Sequence, residues 1–255
     1  MPHDRLDVLG IPIDFLDIDS AIARILEAAR ERRFFQIATV NLDFLVHSRR
    51  DEEVQSILGE SDINMPDGAP VVWAGRLLGL EGITRLSGAD LVPALMGAAA
   101  QECLRVFLLG GENDAASEAA ERLVARHSQL DVSVFEPPRV SLDDMDDAKI
   151  LRHLDDAQPH ILLVAFGHPK QEKWIYRNRH SLPMAAMGVG CCLDLIAGRQ
   201  SRAPEWMQAS GLEWGYRLAH EPRRLTRRYA TDGLWAVRDL FPWVMSQRLS
   251  QARAS

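Results

Sequence analysis

The feature that most constrains the fold of this chain is a short, almost wholly apolar run, His160–Phe166 (HILLVAF), which follows one helical stretch and precedes another helix start. A run of that length suits a strand buried on both faces, and such a strand belongs in the middle of a parallel sheet covered by helices. Phe34–Val40 (FFQIATV), Arg105–Leu109 (RVFLL) and Val132–Phe135 read as further strands. Ser20–Arg32, Ala89–Glu102, Ala115–His127 and Asp143–Ala157 carry helical patterns between them. The alternation predicts an α/β fold with a mostly parallel sheet flanked by helices. The strand signal stops at Gly198, and from Ala203 onward the pattern is helical, broken by Pro204, Pro222 and Pro242. Residues 1–198 are therefore expected to form the α/β core and 199–255 a helical appendage.

Charge divides at the same place. Residues 199–255 hold 10 Arg and 5 acids, whereas the other 198 residues hold 19 basic and 31 acidic side chains. Four of the six tryptophans also fall in the tail: Trp206, Trp214, Trp235 and Trp243. A basic, Trp-rich end on an acidic body suggests an anionic partner, either phosphate groups or lipid headgroups. The plainer reading is a solvated helical face with core tryptophans. No run of 18 apolar residues occurs, so no bilayer-crossing helix is expected, and Met1–Gly10 lacks the apolar core of a signal peptide. Cys103 and the adjacent pair Cys191-Cys192 give no disulfide framework, which points to a reducing, cytosolic compartment.

In open α/β sheets ligands bind beyond the carboxyl ends of the strands. Four segments occupy such positions: Thr39-Val40-Asn41, Gly110-Gly111, Gly167 to Glu172, and Gly188-Val189-Gly190. Gly110-Gly111 precedes a helix that Asn113 or Asp114 would cap, and free N–H groups there would suit a phosphate. Pro169 suits a helix start, Lys170 could neutralise phosphate, and Gln171 could bond a sugar or base. An ordinary cap with exposed polar residues is the equal alternative. Asp67, in Pro66-Asp67-Gly68, reads either as a helix cap or as a general base facing the cleft. Arg217, Arg224 and Arg227 would share one face of an unbroken helix, placed to bind a diphosphate or to form a solvated basic face. Asp17-Ile18-Asp19 and Asp144-Met145-Asp146 look like caps, and no metal site is expected. The chain lacks G-x-G-x-x-G, a P-loop and a Gly-x-Ser-x-Gly elbow.

Taken together, these segments resemble the WecG/TagA/CpsF glycosyltransferase family, which works on bacterial teichoic acids, common antigen and capsular or exopolysaccharides. The resemblance is carried by Thr39-Val40-Asn41, Pro66-Asp67-Gly68, Arg85 with Gly88-Ala89-Asp90, and Phe107 to Gly111. It continues through Gly167 to Trp174, Gly188-Val189-Gly190, Asp194, Arg202-Ala203-Pro204, Gly211 to Trp214, Tyr216-Arg217-Leu218 and Glu221 to Arg224. Gly215 stands where the family often has a bulkier residue.

The resemblance implies a Rossmann-like core, a UDP-sugar donor, a polyprenyl-diphosphate-linked acceptor, and inversion at the anomeric carbon without cofactor or essential metal. It makes Asp67 the general base. It places Thr39, Asn41, Arg85 and Gln171 around the sugar and acceptor, Asp194 near the nucleotide, and Arg217, Arg224 and Arg227 at the diphosphate. With them, Gly110, Gly111, Gly167, Pro169, Lys170, Glu172, Gly188 and Gly190 complete the expected substrate-binding set. The expected partners are these two substrates and the inner membrane surface, with the chain peripheral on the cytoplasmic face. No nucleic acid is expected, and a homo-oligomer stays open. The rival classes are a non-catalytic nucleotide-binding module, a peripheral membrane adaptor, and a sugar-nucleotide hydrolase or epimerase.

Overall fold

The computed structural model describes residues 4–80 and 83–254. An antiparallel hairpin opens the chain, β1 (Asp4–Val8) and β2 (Ile11–Phe15). Six parallel strands follow: β3 (Phe35–Val40), β4 (Ile63–Pro66), β5 (Arg105–Gly110), β6 (Asp131–Phe135), β7 (Ile161–Ala165) and β8 (Ala185–Gly188), in the order β4-β3-β8-β7-β5-β6. This is the expected Rossmann-like α/β sheet. The hairpin, β4 and β8 are short strands with weaker patterns, and sequence reading passes over them as strands.

The helices of the core are α1 (Ile18–Arg30), α2 (Leu42–Ser48), α3 (Glu52–Glu60), α4 (Ala69–Leu77), α5 (Gly88–Gln101), α6 (Ala115–Arg126), α7 (Asp147–Ala157), α8 (Lys170–Arg177) and α9 (Cys192–Ile196). Asp17 caps α1 by accepting from Ser20 N at 2.6 Å, and Asp146 caps α7 by accepting from Lys149 N at 2.9 Å. Each acidic pair thus supplies one helix cap, as the sequence suggests. β7 shows why its run is so apolar. Ile161 and Leu163 join the core under α1, α5 and α6, while Leu162 and Val164 face Trp174 and Ile175 of α8 on the other side. Trp174 is fully buried and donates its indole N–H to Asp147 at 2.7 Å.

β5 leads outward to β6, whereas its neighbour β7 leads back to β8. Their helices α6 and α8 lie on opposite faces, so the β5–β7 boundary is a topological switch point, the place where such sheets generally bind ligands.

The tail forms α10 (Glu205–Ala209), α11 (Glu213–His220), α12 (Pro222–Trp235), a π-helical turn (Ala236–Leu240) and α13 (Phe241–Ala254). Pro222 ends the helix that would have carried Arg217, Arg224 and Arg227 together. The far half of the tail shares the core: Trp235, Ala236, Leu240 and Val244 pack with Val8, Ile13, Phe44 and Val72. Its outer side stays apolar. Leu234, Val237, Phe241, Met245 and Leu249 recur at spacings of three and four and are all exposed.

Candidate active site

The parallel sheet brings every strand-end segment to one rim. The loop after β4 sets the geometry there. Asp67 N–H donates to Val40 O at 2.9 Å, which ties this loop to the end of β3. Gly68, at φ +96°, is the residue that starts α4, and no side chain caps that helix. The Asp67 carboxylate is therefore free of the capping duty its position suggests. It is half-buried and makes no hydrogen bond or ion pair among the described residues. Burial pushes its pKa up to about 6, with Glu213 and Asp90 adding to the rise and Arg217 and Arg85 opposing it.

Those neighbours form a compact charge cluster between α11 and the segment from Arg85 to Asp90. Glu213 accepts from Arg85 at 2.5 Å through one oxygen and from Arg217 at 2.8 Å through the other. Asp90 accepts from Arg85 at 3.3 Å, from Ser87 Oγ at 2.6 Å, and from Arg202. Burial works to raise the pKa of Glu213, but Arg217 and Arg85 more than reverse it. Asp90 behaves likewise under Ser87 and Arg202. One cluster thus lowers the pKa of two carboxylates while that of a third is raised to about 6.

A cleft of about 250 Å³ adjoins the cluster, lined in part by Cys191, Arg199, Arg202, Glu213, Arg217 and Glu221. It is smaller than the roughly 300–1,000 Å³ of sites that enclose a whole drug-sized ligand, and its guanidinium lining suits an anionic part of one. Asp194 lies beside it on α9, half-buried, its pKa raised by burial against the pull of Arg199.

The other rim residues are placed as follows. Thr39 is half-buried near the end of β3, and Asn41 accepts from Phe44 N at 3.3 Å as the cap of α2. The Cβ of Asn41 would lie 3.8 Å from a Cβ on Gly68, so it neighbours the Asp67 loop. Gln171 is buried. Its carbonyl accepts from Gly167 N and Gly190 N, both at 3.2 Å, and its amide donates to Glu172 at 2.7 Å. Glu172 also meets His168 Nδ1 at 3.0 Å. Both side chains are turned inward and satisfied by protein. A Cβ on Gly188 would strike Gln171 Nε2 at 2.4 Å, so glycine there makes room for the Gln171 brace. Pro169 holds the cap position before α8, and Lys170 donates to Val140 O.

Two expectations need correction. The start of α6 after Gly110-Gly111 does not offer free N–H groups, because the Glu136 carboxylate accepts from Asp114, Ala116 and Ser117 at 3.0–3.1 Å. Asp114 sits at the cap position with φ +66° and makes no side-chain cap bond. The arginine trio is also divided. Arg217 reaches the cleft, Arg227 is exposed on α12 outside it, and the Arg224 side chain lies outside the described residues. Sequence reading gave no role to Glu213, Asp90, Arg199 or Arg202, although Glu213 as an acid within an Arg-rich tail was a usable signal.

A parallel α/β sheet, with a carboxylate of raised pKa on its rim beside an arginine-lined cleft, places the chain in the Rossmann-like class of enzyme folds. The comparison with known families gives that class its particular member: residues 6–253 match the glycosyl transferase WecG/TagA/CpsF family, and the chain belongs to it. It is a glycosyltransferase. The chain is 31% identical over 192 residues, covering 75% of this chain and 73% of the relative, to N-acetylglucosaminyldiphosphoundecaprenol N-acetyl-beta-D-mannosaminyltransferase of Bacillus subtilis. It is 30% identical over the same length to the Bacillus spizizenii protein of that name, with the same coverage.

Proposed function

We propose that this glycosyltransferase moves a sugar from a UDP-sugar to a saccharide carried on polyprenyl diphosphate, with inversion and without a metal in the transfer step. The observation that carries this reading is the Asp67 carboxylate at the rim, without a hydrogen bond among the described residues and with its pKa raised by burial to about 6. Asp67 takes the proton from the acceptor hydroxyl as that oxygen attacks the anomeric carbon, and UDP leaves from the opposite face. A positioned base of this kind is worth roughly 10²–10⁴-fold in rate. The diphosphate gathers negative charge as it leaves. Arg217, with Arg199 and Arg202 beside it in the cleft, supplies the fixed positive charge that offsets it. Thr39 and Asn41 flank the acceptor side, and Asp194 the nucleotide side.

The relatives' names support the acceptor class, an N-acetylglucosaminyl diphosphate lipid, and make N-acetylmannosamine the first donor sugar to try. No described helix is long and apolar enough to cross a membrane. The exposed stripe from Leu234 to Leu249, with Trp206 and Trp214, is instead suited to lie in the interface of the cytoplasmic leaflet, where the lipid-linked acceptor is presented.

A panel of UDP-sugars, scored by UDP release with and without a synthetic lipid-diphosphate N-acetylglucosamine, tests the reading. Release that requires the acceptor is expected. Donor consumption at the same rate without acceptor would make the enzyme a hydrolase or epimerase. Heat on titrating UDP, with no turnover of any donor, would leave a binding module.

A further inference from the structure

On the face of the sheet that carries α2 and α8, three metal-competent side chains converge outside the arginine cleft. Asp43 and His47 stand one turn apart on α2, and His168 comes from the loop after β7. One donor atom from each lies within 4.8 Å of the other two. Asp43 Oδ1 is 3.7 Å from His47 Nε2, and the two imidazoles meet edge to face with centroids 5.1 Å apart. The Phe44 ring stacks on His168 at 3.7 Å and closes the cluster from one side.

The outer atoms of two of these residues already have partners. His168 Nδ1 lies 3.0 Å from a Glu172 oxygen, and the Glu172 side chain is only 3% exposed. A proton held between them leaves the lone pair of His168 on Nε2. That nitrogen is buried and has no hydrogen-bond partner. Asp43 shows the same division of labour: Oδ2 takes Arg228 Nη2 at 3.1 Å, while Oδ1 faces His47. Metal-ligating histidines and carboxylates are fixed by outer-shell bonds of this kind.

We propose that Asp43 Oδ1, His47 Nε2 and His168 Nε2 bind one divalent transition ion of the zinc type, with a water completing four-coordination. Two imidazoles and one carboxylate suit zinc, whereas magnesium prefers oxygen ligands and its own waters. Zinc bonds of about 2.0–2.1 Å place tetrahedral ligand atoms about 3.3 Å apart. One donor atom of each residue already lies within 4.8 Å of the others, about 1.5 Å wider than that, so the side chains draw together when the ion binds. None of the three residues lines the arginine cleft, and the ion would pin α2 to the β7 loop. In sequence the signal is small: Asp-x-x-x-His on one helix face, with its third member 121 residues away.

The test uses the full chain, free of affinity histidines, stripped with a chelator, reloaded with zinc and gel-filtered. Bound metal is counted by mass spectrometry, and cobalt(II) is loaded in parallel for its four-coordinate visible absorption. About one zinc per chain is expected in the natural protein and in Cys191→Ser, with a rise in Tm of about 5 °C at saturation. His47→Gln and Asp43→Asn should each lose the ion, the cobalt band and the Tm rise. Magnesium should produce none of the three effects. If His47→Gln melts well below the metal-free natural protein, Asp43→Asn decides. A natural protein that retains no zinc overturns the proposal, and so does Asp43→Asn holding zinc as tightly as the natural protein.

Discussion

The loops after β7 and β8 and the loop after β4 stand on one edge of one sheet, yet they use their polar groups in opposite ways. In the first pair Gln171 accepts from two glycine N–H groups and donates to Glu172, which in turn meets His168. Every polar atom of the Gln171 side chain that points inward is satisfied. After β4, Gly68 takes the helix start, and Asp67 is left half-buried with no bond to its carboxylate among the described residues. A satisfied network fixes geometry, and an unsatisfied charge stores reactivity. The difference separates rim residues that hold the site in shape from the one proposed to exchange a proton.

The largest expected effect tests the free side of that comparison. Asp67→Asn keeps shape and polarity but cannot accept a proton, so turnover should fall by roughly 10²–10⁴-fold. UDP affinity measured by titration calorimetry should stay within about twofold. For the natural enzyme, kcat/KM should fall tenfold per pH unit on the acid side below about pH 6, the value to which burial raises this carboxyl. Retained turnover in Asp67→Asn would remove the base from the mechanism and merge the two kinds of rim.

Arg217 and Arg227 give the next contrast, since one lines the cleft and the other is exposed on α12. Arg217→Ala removes a charged partner of the leaving group and unpairs one Glu213 oxygen. Its kcat/KM should drop by about 10–100-fold on a detergent-solubilised acceptor. Arg227→Ala should change the same number by less than about twofold. Equal losses would mean that α12 turns toward the cleft when substrate binds.

The closed side is broken through stability. Gln171→Ala strands the N–H groups of Gly167 and Gly190 and one Glu172 oxygen in a buried place, at about 1–3 kcal/mol. Chemical denaturation should show that loss with the slope unchanged. A variant as stable as the natural protein would mean that water replaces the amide, and that the brace is not structural.

How much of this was legible beforehand follows from the same physics. The sheet was readable because strands such as β7 are buried on both faces and lose all polar residues. The hairpin, β4 and β8 were not, because they are short and lack the unbroken run of bulky apolar residues that marks β7. Asp67 was visible as a residue but ambiguous in role, since an Asp before Gly and an apolar helix is ordinarily a cap. Only the backbone of Gly68, taking the cap position at positive φ, decides that point. Arg217 could not be separated from Arg227 by spacing, because Pro222 redirects the chain between them. The Glu136 carboxylate at the start of α6 was invisible for a different reason. It comes from beyond the next strand, and nothing local announces it.

The smallest effect sharpens the comparison furthest, because it has the opposite sign to the loss of activity. Asp67 titrates near 6 in the folded chain against 3.8 when unfolded. Between those values the folded state binds the extra proton, so this group's contribution to stability falls as pH rises through the window. Above pH 6 the ionised carboxylate is a standing cost, reduced by whatever water reaches it, of about 1–2 kcal/mol. Asp67→Asn removes that cost. At pH 7 the inactive variant should be more stable than the natural enzyme by about that amount, and the advantage should vanish near pH 4. Parallel melts at the two pH values check it. A destabilised Asn variant at pH 7 would mean that the carboxylate is held by bonds after all, in the manner of Gln171, and that the open rim is as closed as its neighbour.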